Sequence, residues 1–280
     1  MKVGHHPTKN RTTLTGAFAY LLAITAMGVA GSAHADPISF LPGNTGFSIK
    51  FVDRERAITG LGQNLFGIFD ITQINSADSS STFWNGNGIS DGTQLVGFFN
   101  GLISIPDQTG GTGLSFTGGT VEIFNVANGS YKPSINPNTL DPVNQLCNGA
   151  ACPSPWLTLN FVPGINDALG PTGNATLQAA LATTNVQAGF GYLSVTGGTN
   201  GATFDTNSFA FTNFAPADLF FRSNFVLAGS QACPLIQSNG WAVCSDDPIT
   251  GRTVPEPGTL ALLGLGLAAL GGLKHRKKTA

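Results

Sequence analysis

The chain has 280 residues, of which 10% are charged, and its formal net charge of −2 conceals an uneven distribution. Between Asp36 and Pro257, six basic residues stand against all fifteen acidic ones, so this central part has a formal charge of −9 and lacks the basic footprint that nucleic-acid binding needs. The four histidines are residues 5, 6, 34 and 275, which excludes Ser-His-Asp or Cys-His catalysis and histidine-ligated metals from the central part.

The first 35 residues predict a signal peptide. Lys2, Lys9 and Arg11 precede an apolar run from Leu14 to Val29, and Ala33-His34-Ala35 is an A-x-A cleavage pattern. We therefore expect the secretion translocon to export the chain and signal peptidase to cut it after Ala35. The alternative is an uncleaved N-terminal anchor, which the short apolar core and the small residues at the cleavage site make less favourable.

The central part, 36–253, predicts a single all-β domain, a β-sandwich or jelly-roll-like body. Short runs rich in β-forming residues alternate with Gly- and Asn-rich turns. The predicted strands are Gly46 to Val52, Leu65 to Ile74, Gln94 to Ile105, Leu114 to Val126, Trp156 to Val162, Ala188 to Thr196 and Asp218 to Leu227.

Two further local patterns occur between these runs. Asn174 to Thr184, rich in Ala, Leu and Gln, predicts one helix. The sequence Thr-Gly-Gly-Thr occurs at 117–120 and again at 196–199, and we interpret both copies as turns between strands, since Gly-Gly is a common hairpin signal.

The carboxylates are the only credible acid–base groups in a body without histidine. Five of them lie on or near predicted strands: Asp53, Glu55, Asp70, Asp91 and Glu122. A facing pair would suit glycoside hydrolysis. However, the alternating acids and arginines of 53–56 are typical of a solvated strand face, and Glu122 fits the outward half of a half-buried strand. We therefore predict no catalytic residues and no enzyme activity.

An oxygen-rich turn lies at 85–91. Asn85, Asn87 and Asp91 could offer oxygens to calcium, but the spacing breaks the Asp-x-Asn-x-Asp-Gly pattern at its third ligand. We interpret the segment as an ordinary turn and predict neither a metal site nor a cofactor site.

The three tryptophans are candidates for stacking on sugar rings. Trp156 begins an apolar strand and is expected in the core. Trp84 and Trp241 lie in a Gly/Asn-rich segment and in a cysteine-closed loop, so we expect both to be exposed.

The cysteine count is even, which in an exported chain indicates disulfides. Cys147 and Cys152 are close in sequence, as are Cys233 and Cys244. Four cysteines allow three pairings, and we favour these two local ones as staples of loops. A site for zinc built from all four is the alternative, although the usual C-x2-C pairs are absent.

The last 27 residues, 254–280, have three parts in order. Val254-Pro255-Glu256-Pro257 is extended, because its prolines fix their own φ and disfavour helix before them. Gly258 to Leu273 is uncharged and long enough for a helix of roughly 24 Å, short of a bilayer core of about 30 Å. A basic cluster follows with Lys274, Arg276, Lys277 and Lys278, and the positive-inside rule keeps it cytoplasmic.

This segment resembles the PEP-CTERM sorting domain of Gram-negative bacteria in its motif, apolar helix and basic tail. The resemblance implies that an exosortase, an integral-membrane cysteine protease, cuts at or near Pro-Glu-Pro and passes the body onward. It also implies transient insertion in the inner membrane, followed by the cell surface or extracellular matrix. A permanent single-span anchor is the alternative.

The stretch Leu65 to Asn100, in which Trp84 precedes Asn-Gly-Asn-Gly, is similar to flocculation-associated PEP-CTERM proteins. The strand with Phe-Thr-Gly-Gly at 116–119 shares this similarity. We therefore expect an exported surface or matrix protein that acts in adhesion, flocculation, biofilm or association with exopolysaccharide. A carbohydrate-binding module is one alternative, and a glycoside hydrolase with paired carboxylates is the other.

Overall fold

The computed structural model describes residues 46–56, 58–86, 92–107, 113–135, 139–164, 175–180, 186–210, 215–227, 241 and 243–253. These residues fall in the second of two units into which the chain divides, Ile38–Ala280. The predicted signal peptide at 1–35 and sorting segment at 254–280, with its transmembrane helix, lie outside the described residues. Within the described part, no helix is long and apolar enough to cross a membrane.

The described residues form an all-β structure, as predicted. Ten strands run β1 (Gly46–Glu55), β2 (Asn64–Ser76), β3 (Thr82–Asn85), β4 (Thr93–Ile105), β5 (Leu114–Ala127), β6 (Leu157–Val162), β7 (Leu177–Ala180), β8 (Val186–Gly197), β9 (Leu219–Leu227) and β10 (Val243–Arg252). Two single-turn helices, α1 (Pro142–Gln145) and α2 (Gly201–Phe204), lie in connections.

The sheet closes on itself. Eight strands follow the order β1-β10-β9-β8-β6-β5-β4-β2, and β2 pairs back to β1. β3 pairs with β2, and β7 pairs with β5 and β8. The structure therefore differs from the expected β-sandwich or jelly roll: pairing of the first strand with both its hairpin partner and the last strand gives a closed eight-stranded barrel. Closure leaves neither β1 nor β10 as a sheet edge, which would expose unpaired backbone groups.

The strands alternate between an apolar inner face and a mixed outer face. On β1, residues Phe47, Ile49 and Phe51 are at most 3% exposed, whereas Val52 is 36% exposed. The inner face forms the large core cluster. A second, smaller cluster lies on the outer face of β2, β4 and β5, where Ile68, Phe124 and Leu146 are buried together. Tyr131, Leu140, Leu146 and Cys152, from the connection between β5 and β6 that we call the covering segment, help to cover that outer face.

Two local predictions are wrong. The described part of the predicted helix at 174–184 contains strand β7, because pairing on both sides outweighs helix propensity. The pair Gly118-Gly119 is a bend inside β5, with φ angles of 75° and 102°, and not a turn between strands. A side chain at Gly119 would collide with Leu102, so this bend requires glycine.

Strand β10 was not predicted, because it contains Pro248 and two acidic residues. Its pairing with β9 runs from Val243 to Ser245 and resumes at Ile249. Pro248 has no backbone N–H and lies in this gap, on the side where the ladder is interrupted. The interruption lets a proline occupy a strand that has neighbours on both sides.

Candidate functional site

The interior of the barrel contains a cavity of about 300 Å³. Most of its lining is aliphatic or aromatic and comes from strands all around the ring, with Phe51, Phe99, Val121 and Leu193 as examples. Among the described residues that line it, three are charged or hydroxylated: Glu55, Arg56 and Ser223. The cavity is therefore an apolar chamber with a few polar groups on one side.

One end of the barrel interior is filled with aromatic rings. Phe204 of α2 contacts Phe47 and Trp156 edge-on, with ring centroids 5.3 Å apart in each pair. Phe47 is near the start of β1, and the cavity is lined by the other end of that strand. Arg56, just after β1, is exposed while lining the cavity, so the chamber meets solvent at that end.

The polar side of the interior is formed by β1, β10 and β9. Asp53 is 0% exposed and Glu55 is 7% exposed. Asp53 pairs directly with Ser245 on β10, whose hydroxyl lies 3.0 Å from that of Ser223 on β9. We call these four side chains the inner polar strip: Asp53, Glu55, Ser223 and Ser245.

The prediction of a solvated face for residues 53–56 is wrong for its two acids. Phe47, Ile49 and Phe51 face inward, and the two-residue period of a strand carries Asp53 and Glu55 to the same side. The intervening Arg54 faces outward. The alternation of charge noted in the sequence is therefore an alternation between the interior and the outer surface.

The outer side of β1 has its own polar cluster. The Arg54 guanidinium donates a hydrogen bond of 2.9 Å to the Tyr131 hydroxyl and lies over the same ring at 5.6 Å. Burial raises the pKa of Asp70 to about 6, against the lowering effects of a hydrogen bond from Gln94 and the charge of Arg54. Burial also raises the pKa of Tyr131.

The structure separates the candidate carboxylates. Asp53 and Glu55 face the interior, whereas Asp70 pairs with the outward Val52 and Glu122 pairs with the outward Phe98. The barrel wall therefore lies between the two pairs. Glu122 is half-buried on the outer face, as its pattern predicted. Asp91 lies outside the described residues.

The exposure predicted for two tryptophans is wrong. Trp84 is 5% exposed and Trp241 is 2% exposed, as buried as Trp156 at 3%, whose core position is confirmed. Trp84 packs in the inner core. Trp241 belongs to the outer cluster, and its indole N–H donates to the Pro133 carbonyl at 2.6 Å. A tryptophan in a turn-rich sequence is still buried when other parts of the chain pack over it.

The predicted loop features are only partly within the described residues. Cys147 and Cys152 form a disulfide, and Cys244 is disulfide-bonded as well, while Cys233 lies outside those residues. Asn85 ends β3 and is exposed, and Asn87 also lies outside the described part. Among the residues that the structure describes, no group of three or more His, Cys, Asp or Glu could hold a metal.

An aromatic group on the outer surface was missed from the sequence. Tyr192 on β8, Phe220 on β9 and Phe209 are half-buried, and their ring centroids lie 5.2 to 6.5 Å apart. Exposed Arg222 follows on β9. We call Tyr192, Phe209, Phe220 and Arg222 the outer aromatic patch. The sequence did contain a signal for this patch: outward positions of these strands carry aromatic residues where Thr, Ser or Asn would be usual.

Comparison with known proteins identifies one short region. The family model described as the PEP-CTERM protein-sorting motif matches residues 253–277, so the predicted resemblance of the C-terminus is confirmed. The chain thus carries the sorting signal of an exosortase substrate, which implies a membrane stage followed by export. No curated protein and no solved structure matches the chain.

Proposed function

We propose that this chain is a surface or extracellular-matrix protein that an exosortase sorts and that associates there with exopolysaccharide. Adhesion, flocculation and biofilm formation would follow from that association. The proposal includes cleavage by signal peptidase, secretion through the translocon and an inner-membrane intermediate. It also holds that the body is not an enzyme.

The position of the sorting motif favours release of an intact body. The last strand of the barrel, β10, ends at Arg252, and the matched motif begins at residue 253. A cut within Val254-Pro255-Glu256-Pro257 therefore removes none of the ten strands. Sorting can separate the targeting segment from the folded domain without breaking the ring of hydrogen bonds.

The outer aromatic patch is the observation that carries polysaccharide association. A sugar ring offers an apolar C–H face and polar hydroxyls, which suits aromatic rings with hydrogen-bonding groups beside them. Tyr192 has a hydroxyl as well as a ring, and Arg222 provides donors at the edge of the patch. Clustered aromatic residues that remain half-exposed are typical of interaction surfaces.

A carbohydrate-binding module that recognises one defined glycan remains the alternative, and the same patch favours it. The two functions differ in specificity: a matrix protein would bind the cell's own polysaccharide broadly, whereas a module would bind one defined glycan. The hydrolase alternative has less support, since Asp53 and Glu55, which share the interior, lie beside a small apolar chamber that does not suit a sugar chain. The barrel wall separates these two acids from Asp70 and Glu122. The lack of histidine from 36 to 273 also supports a non-enzymatic role.

The test uses a deletion strain complemented with the full chain or its variants. Tyr192→Ala and Phe209→Ala should each weaken co-sedimentation with the strain's polysaccharide by about five- to tenfold, the loss of one aromatic contact. Flocculation and biofilm mass should fall in parallel. Phe83→Ala is the matched control, because Phe83 is also a half-buried phenylalanine but lies on β3, away from the patch.

Equal losses for Phe83→Ala and for the patch variants would contradict the proposal, since they would indicate general destabilisation. Unchanged co-sedimentation in both patch variants would also contradict it. A glycan screen then separates the two functions: binding to one defined glycan favours the module. Mass spectrometry of the exported protein should find a C-terminus near Val254 to Pro257, and a chain that still ends at Ala280 in the membrane would refute sorting.

A further inference from the structure

The interior cavity has the size of a binding site for a small molecule. An apolar cavity of about 150 Å³ takes up benzene, and this chamber of about 300 Å³ is twice as large. Known ligand pockets begin at roughly this volume. Eight strands also give a ring just wide enough to be filled by side chains or to hold one small ligand. The chamber suits an occupant of roughly a dozen non-hydrogen atoms.

The lining defines most of that occupant as apolar. Leu102, Phe116 and Phe161, among others, present carbon surface on strands that lie across the ring from the inner polar strip. Water in such a place finds few hydrogen-bond partners, so replacing it with hydrocarbon is favourable. An alkyl chain or an aromatic ring system matches this part of the wall.

The inner polar strip defines the other end of the occupant. Its members Glu55 and Ser223 line the cavity, with Asp53 and Ser245 beside them. Carboxylates accept hydrogen bonds and attract positive charge. They also repel an anionic head group, and burial strengthens this repulsion.

Arg56, the cation among the described residues that line the cavity, does not reverse this preference. The Arg56 guanidinium lies 5.7 Å from the ring centroid of Phe66, which belongs to the outer cluster. Arg56 is exposed at the solvent end of the chamber. Its charge is therefore directed outward, while the acidic groups face the interior.

We propose that the barrel interior binds a small apolar amine, with its hydrocarbon part in the cavity and its ammonium group at Glu55 and Ser223. This binding is independent of the outer aromatic patch, because the two sites lie on opposite faces of the barrel wall. No bond is made or broken. The barrel would carry or sequester a lipophilic amine at the destination to which the chain is sorted.

The test uses the processed protein, purified without detergent from cells that export it, at pH 7. 1-Aminonaphthalene, a fluorescent arylamine that is uncharged at pH 7 and small enough for the chamber, reports occupancy of apolar cavities. Decylamine and decanoate, which have equal chains and opposite charges, then compete for the site. We expect the probe to bind and decylamine to displace it at concentrations at least about tenfold below decanoate, because like charge in the strip disfavours the acid.

Three variants locate the binding. Ala179→Phe adds a ring to a residue that lines the cavity and should abolish binding of both probe and decylamine. Glu55→Gln keeps the shape and removes the carboxylate that lines the cavity, so the preference for decylamine over decanoate should fall by at least about threefold. Glu122→Gln removes the same charge from the outer face and should leave the preference unchanged.

Several results would overturn the proposal. These are no probe binding by the wild-type protein, equal displacement by decanoate, or a preference that is undiminished in Glu55→Gln. If Ala179→Phe fails to fold, the comparison of Glu55→Gln with Glu122→Gln still decides the question. A decylamine affinity that survives in folded Ala179→Phe would assign the amine to the acidic surface and refute the cavity site.

Discussion

The two faces of strand β1 place similar residues in different surroundings. On the inner face, Asp53 and Glu55 join two serine hydroxyls at the edge of an apolar chamber. On the outer face, Arg54 bonds Tyr131 beneath a covering segment that a disulfide constrains. The inner face is suited to a ligand. The outer face holds the covering segment against the barrel through packing and the Arg54–Tyr131 hydrogen bond. One strand thus contributes to an apolar chamber and to a structural cluster through alternate residues.

The largest expected effect concerns the closed end of the inner face. Phe47→Ala removes a ring that is 0% exposed and contacts Phe204. It should lower the free energy of unfolding by about 3–5 kcal/mol, the usual loss for a buried phenylalanine. Phe209→Ala, a half-buried outer position, should cost less than about 1.5 kcal/mol. Urea unfolding of both variants checks this difference, and equal losses would refute the closed inner core.

The next prediction concerns the pH dependence of the outer cluster. The pKa of Asp70 is raised to about 6 from its usual 3.8. Between these two pH values, the folded protein holds a proton on Asp70 that the unfolded chain has lost. Stability from this group is therefore present at low pH and is lost as pH rises through about 6. The loss is at most roughly 3 kcal/mol, at about 1.4 kcal/mol for each unit of pKa.

Asp70→Asn tests this assignment. The variant should unfold with nearly the same free energy as the wild type at pH 4 and should be the more stable of the two at pH 7. Chemical denaturation at intervals from pH 4 to pH 7.5 gives both curves. A wild-type curve and a variant curve that run parallel over this range would show that Asp70 does not titrate there.

A smaller effect is expected from the covering segment. The double variant Cys147→Ser, Cys152→Ser opens a short loop, for which the chain-entropy relation gives about 2 kcal/mol. Thermal unfolding should register this loss. Probe binding in the cavity should persist in the folded variant, because the disulfide belongs to the outer cluster. Loss of probe binding at temperatures where the variant is folded would contradict the independence of the two faces.

The smallest effect is expected from the inner polar strip. Ser223→Ala removes one member of a buried hydroxyl pair and should cost about 1 kcal/mol, the usual net value of a hydrogen bond. Decylamine competition should weaken with it, since Ser223 lines the cavity. A variant with unchanged unfolding and unchanged competition would remove Ser223 from the proposed site.

Much of the fold could be predicted from local pattern. The seven predicted strands correspond to β1, β2, β4, β5, β6, β8 and β9, because each is rich in β-forming residues and bounded by turns. The exceptions are informative. Strand β7 has a helix-like composition, β10 contains Pro248, and β3 is only four residues long. Each is held by pairing with strands that were recognisable.

Less of the candidate site than of the fold could be predicted from the sequence. Glu55 and Asp53 were noted, but the alternation of charge could not say which members face inward. That decision depends on the register of β1 with β2 and β10, which buries Phe51 and therefore the acids two and four residues later. Trp84 and Trp241 needed the tertiary structure for the same reason, since their covers come from distant segments.

The sequence by itself determined the sorting motif, the acidic character of the body and its β composition, because these are properties of consecutive residues. Only the tertiary structure decided that the sheet closes, that a chamber lies inside it, and that Asp53 and Glu55 face that chamber. The physical reason is closure. Pairing of β1 with β10 joins residues about two hundred positions apart, such as Gly46 and Arg252, and local pattern contains no information about such a contact.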